Sequence, residues 1–168
     1  MRKWLFTLVL LIALPAGLLA AYQGAGKAAA AKPAAATAAA HVTVAASELK
    51  WTPSFLGLER AGVSGDPDKP GPFVMRLRAK AAAAVPAHFH PIDENVTILA
   101  GTLNLGLGDK FDAKALHTLA AGTYSFMPKN TRHFGSFAAG SVIQIHGMGP
   151  FTITFVNPAD DPRKAAGK

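Results

Sequence analysis

The sequence predicts an all-β domain over most of its length beyond residue 46, and three observations carry that reading. Short runs of alternating apolar and polar residues recur, such as Phe73, Met75 and Leu77 interleaved with Val74, Arg76 and Arg78. Clusters of Gly, Pro, Asn and Asp separate the runs, and no stretch sustains the apolar period of a helix. About seven to ten short strands in this length suggest a sandwich, a jelly roll or a small barrel. With 168 residues there is room for one ordinary domain and one core.

The elements follow in chain order. Met1 to Lys3 form a short basic head, and Trp4 to Ala21 is an almost unbroken apolar run. Residues 1–23 therefore read as a secretory signal segment or, uncleaved, as an N-terminal membrane anchor. Either way the domain is expected in the periplasm or secreted, with the membrane touched only through this segment. Residues 24–46 are dominated by Ala, relieved by Lys27, Lys32, Pro33 and Thr37, and read as a tether. His41 stands alone behind it and reads as incidental.

The domain is expected over 47–160. Its first strand is Phe73 to Arg78, behind the proline-rich connection Gly65-Asp66-Pro67 and Lys69-Pro70-Gly71-Pro72. Asn95 to Ala100 and Thr102 to Leu107 follow, hinged at Gly101, with Leu103, Leu105 and Leu107 on one face. Tyr124 to Met127, Val142 to His146 and Phe151 to Phe155 complete the set. Residues 161–168 read as a flexible basic tail.

Composition narrows the function. Lys plus Arg outnumber Asp plus Glu by 17 to 10, but four of the positive charges precede the first acid, Glu48. The domain itself carries only a mild excess, scattered and not interleaved with aromatics, so nucleic acid is not expected as a partner. There is no cysteine, which excludes disulfides, thiolate metal sites and a Cys nucleophile. Any metal must sit on nitrogen and oxygen.

Five of the six histidines fall in the β region. His88 and His90 are separated by one residue, so on an extended strand both imidazoles can face a common point. Glu94 lies past a bend that Pro91 and Asp93 favour, and can return a carboxylate to that point. His133 follows the turn-like Pro128-Lys129-Asn130 and offers a third imidazole. Three neutral nitrogens and one carboxylate suit a divalent first-row ion such as Mn, Fe, Ni or Zn, with coordination positions left open.

These residues resemble the two motifs of the cupin superfamily. The first, G-x5-H-x-H-x3-E-x6-G, is matched from His88 through His90 and Glu94 to Gly101, and the second, G-x5-P-x-G-x2-H-x3-N, by Gly122, Pro128 and His133. Three positions depart from the pattern: Ala82 and Asn130 stand where it has glycine, and Phe137 where it has asparagine. Asn130 tolerates a left-handed turn, and Phe137 makes that end more apolar. The resemblance implies a double-stranded β-helix, or jelly roll, with His88, His90, Glu94 and His133 as metal ligands. It also implies a small-molecule ligand and a homodimer through sheet edges. Dioxygenases, oxalate-degrading enzymes and isomerases are among the activities it suggests, beside non-catalytic binding or sensing.

Other polar residues are weighed individually. Alternation over Val142 to His146 puts Gln144 and His146 on one face and Ile143 and Ile145 on the other. If the polar face looks inward, Gln144 and His146 contact a substrate or the ligands, with His146 the acid or base. If it looks outward, it is a solvated strand face. Arg76 and Arg78 share a face that meets an anion or solubilises an edge; Asn104 opposes the leucines of its strand. His117 reads as surface, and Asp93 as a turn former.

Overall fold

The computed structural model describes residues 41–165. The export segment expected at 1–23, all of the tether before residue 41 and residues 166–168 lie outside the described residues. Among the described residues no helix is long and apolar enough to cross a membrane.

The chain forms β1 (Thr52–Pro53), β2 (Leu58–Ser64), β3 (Gly71–Ala79), β4 (Ala83–Phe89), β5 (Glu94–Ala100), β6 (Thr102–Leu107), β7 (His117–Ala120), β8 (Tyr124–Met127), β9 (His133–Phe137), β10 (Val142–Gly149) and β11 (Thr154–Phe155). One sheet has the order β1-β2-β3-β10-β5-β8 and the other β11-β4-β9-β6-β7. All pairings are antiparallel, and strands distant in sequence are neighbours in each sheet, as a jelly roll requires.

The core lies between the sheets, built by period-two alternation. Phe73, Met75 and Leu77 of β3, Val96 and Ile98 of β5, and Ile143 and Ile145 of β10 come from one sheet; Val85, Leu103 and Phe137 come from the other. Between β5 and β6 the chain reverses at Gly101, whose φ is +67°. A Cβ there would meet the Ser141 side chain at 2.6 Å, so glycine is required. Ser141 is fully buried and ties the reversal, accepting from the Thr102 amide at 2.9 Å and donating to the Thr102 carbonyl at 2.7 Å.

The structure differs from the sequence reading at weakly patterned segments. β2 carries Glu59, Arg60 and Gly62, and β7 is short and mostly exposed; neither declares an apolar face, and each is a strand because it pairs with a neighbour. The strand expected over Phe151 to Phe155 shrinks to Thr154–Phe155, since the Phe151 amide donates to the Pro67 carbonyl at 2.6 Å instead of to a ladder. Toward the C-terminus a single helical turn, α1 (Pro162–Ala165), forms, and Arg163 Nη2 donates to the Ile153 carbonyl at 3.2 Å.

Candidate metal centre

The site begins with a proline. Pro86 interrupts β4 and has no amide hydrogen to give the ladder, and the β4–β9 register shifts between Val85 and His88. Strict alternation would set Val85 and His90 on opposite faces. The bulge reverses the phase, so Val85 and His90 both line the interior, and His88 pairs directly with His133 at the start of β9. Glu94 arrives from the other sheet as the first residue of β5. Asp93 and the β8–β9 turn hold the approach: Lys129 N donates to Asp93 Oδ1 at 2.8 Å, and Asn130 N to the His90 carbonyl at 2.7 Å.

His88, His90 and His133 are buried, and their ligand nitrogens lie within 4.8 Å of one another. Each Nδ1 faces a backbone carbonyl: His88 that of Pro86 at 2.7 Å, His90 that of Thr152 at 2.7 Å, and His133 that of Thr131 at 2.9 Å. A carbonyl can only accept, so each Nδ1 carries the hydrogen and donates it. Each Nε2 is left with a free lone pair, the arrangement by which metal-bound imidazoles are oriented. Burial keeps the rings neutral: it lowers the pKa of His88 to about 3 and of His90 to about 4, and pushes His133 down as well.

Glu94 is buried beside the histidines. Its Oε2 lies 3.5 Å from His133 Nε2 and 3.8 Å from His90 Nε2, too far for hydrogen bonds, and has no hydrogen-bond partner although it is buried. Burial raises its pKa to about 8. Free lone pairs aimed together beside an orphaned carboxylate oxygen are costly unless a cation joins them. The three histidines therefore fit a divalent metal ion.

Solved structures resemble this architecture. A polyketide cyclase, RemF, from Streptomyces resistomycificus matches with a TM-score of 0.61 at 15% identity, over 77% of this chain and 94% of its own. An acetylacetone dioxygenase from Acinetobacter johnsonii matches at 0.58 and 14% identity, over 79% and 87%. An RmlC-like cupin from Shewanella frigidimarina matches at 0.53 and 14%, over 66% and 91%. The chain has the cupin fold. No family model and no curated protein matches the sequence.

The three departures from the cupin motifs now have physical settings. Asn130 adopts a left-handed φ of +64°, the conformation that makes glycine common there. Ala82 is not among the described residues with positive φ, so its position makes no demand for glycine. Phe137 is buried, lines the interior and closes β9 at the end opposite His133.

The inward reading of Gln144 and His146 is corrected. Ile143 and Ile145 fill the interior, so alternation turns Gln144 and His146 to the outer face of their sheet, opposite Arg76 and Val74. Gln144 Oε1 accepts from Arg76 Nε at 3.2 Å, away from the histidines. Arg78 is likewise engaged outside, 2.6 Å from Glu59 and over the Trp51 ring. Asn104 donates to Ser136 and accepts from Thr118, and His117 is exposed. Two contributors had no sequence signal. Phe151 stacks on His90 with 4.2 Å between ring centres, and the Thr152 carbonyl orients that ring; both come from a segment 61 or more residues away.

Proposed function

We propose that His88, His90, Glu94 and His133 hold one divalent ion, Mn, Fe, Ni or Zn, and that the site acts on a small oxygen-bearing molecule as a metal-dependent oxidoreductase of the dioxygenase kind. The observation that carries this is the convergence of three oriented Nε2 lone pairs and an orphaned, buried carboxylate oxygen. When bound, such an ion supplies Lewis acidity and, if redox-active, electron transfer. The chain's own part is positional. Three backbone carbonyls hold the imidazole tautomers, Phe151 packs against His90, and apolar side chains keep water from the interior. An acetylacetone dioxygenase and a polyketide cyclase among the structures of like fold support a small organic substrate.

A second reading, a metal-anchored binding or sensing module, draws on the placement of His146. With that residue outside, no titratable side chain among the described residues besides His90, Glu94 and His133 lines the cavity, and these are the proposed ligands. We further propose that residues 1–23 export the protein to the periplasm or beyond. Fractionation with and without that segment tests it.

Elemental analysis of the purified chain beside His133→Ala tests the metal site. About one equivalent of metal per chain, reduced at least tenfold in affinity in the variant, is the expected result. A folded wild-type protein that takes up no ion on reconstitution would sink the proposal.

A further inference from the structure

Beside His90 and His133 the interior holds a cavity of about 60 Å³, roughly the volume of two waters in the liquid. Its walls are carbon. Leu77, Val96, Leu103, Met127, Phe137 and Ile143 represent them, and among the described residues the only polar side chains that reach it are His90, Glu94 and His133. Nearby polar groups are committed elsewhere: Gln144 and Arg76 to each other on the outer face, and Asn104 to Ser136 and Thr118. Arg60, in the cleft outside Phe55 and Phe151, is already paired with Asp68.

Resting on the metal reading above, we infer that the ligand of this site is a small molecule with one oxygen-donor head and a short, uncharged hydrocarbon body. The head meets the ion, and the body fills the carbon-lined cavity. A second carboxylate, a phosphate or a sugar hydroxyl would enter a space with no cation or hydrogen-bond donor to receive it, and would lose its hydration uncompensated. Dicarboxylates, sugar acids and nucleotides thus mismatch this cavity, whereas short-chain carbonyl compounds match it.

The test keeps the head constant and varies the body. The full chain, with its metal content measured first, is titrated by calorimetry with acetohydroxamate, butanohydroxamate and succinic monohydroxamate. The last two differ only in a terminal methyl against a terminal carboxylate. Butanohydroxamate, longer by two methylenes, is expected to bind about sixteenfold tighter than acetohydroxamate, from about fourfold per buried methylene, and at least about tenfold tighter than the succinic compound. Equal affinities for the acetyl and butyl compounds, or a succinic compound that binds as well as the butyl one, would overturn the inference while leaving the metal site standing. A chain without metal overturns the parent reading, and this one with it, before any ligand is added.

Discussion

Each histidine of the centre solves a small problem of proton placement. Neutral imidazole can carry its hydrogen on either nitrogen, and the carbonyls of Pro86, Thr152 and Thr131 settle that choice in favour of Nδ1. Glu94 presents the opposite problem, since burial favours its protonated form at neutral pH. With Glu94 in the proposed ligand set, loading the metal is expected to expel that proton, while the histidines, already neutral, have none to give. Titration of metal-free protein with zinc at pH 7, in buffers of differing ionisation enthalpy, should register release of about one proton per ion. In Glu94→Gln the release should vanish and the affinity fall. Wild-type uptake without proton release would mean that Glu94 is ionised before the metal arrives.

At the scale of elements, the bulge in β4 and the turn before β9 do the positioning. Proline at position 86 removes one rung of the ladder and shifts the inward phase by one residue, which brings His88 and His90 inside together with Val85. The β8–β9 turn relies on Asn130 in the left-handed region, with its amide bonded to the His90 carbonyl. Asn130→Ala should lower stability by about 1 kcal/mol and Asn130→Gly should change it little, as read from urea unfolding midpoints. If alanine is tolerated as well as glycine, the turn does not hold that conformation in solution. The turn was legible in Pro128-Lys129-Asn130, and alternation separated the two faces of β3, β6 and β10, although Leu107, on the leucine face of β6, ends exposed. β2 and β7 were not legible, because partners rather than their own side chains make them strands.

For the whole molecule, the buried centre sets how stability depends on pH when metal is absent. His88 and His90 have folded pKa values of about 3 and 4, and His133 is lowered too, so the unfolded chain binds more protons than the folded one below pH 6.5. Their contribution is present above that value and is lost as pH falls toward 4 and 3. Glu94 acts in the other sense: with a folded pKa of about 8, the folded chain binds more protons from pH 4.5 upward. Its penalty grows until pH 8, by at most about 1.4 kcal/mol per pH unit. Three histidines outweigh one carboxyl below pH 6.5, and the carboxyl acts alone above it. Metal-free protein should therefore be most stable near pH 6.5 and weaken toward pH 8 in chelator. Glu94→Gln should abolish the weakening, and so should bound metal. A metal-free stability curve that keeps rising from pH 6.5 to 8 would contradict the buried, protonated carboxyl.

By itself the sequence determined the β class, the two faces of its strongly alternating strands and the identity of the four candidate donors, because those depend on residue type and on short spacings. Only the tertiary structure decided which way each strand faces. Alternation names two faces of Val142 to His146 but not which is inside. The greater apolar surface of Ile143 and Ile145 takes the interior, which leaves Gln144 and His146 outside. Likewise the carbonyls that fix the imidazoles, the ring of Phe151 and the carbon lining of the cavity meet across 61 residues or more in some cases and across two sheets, as chain closure and burial dictate. Local pattern chose the donors; the folded chain aimed them and walled the space beside them.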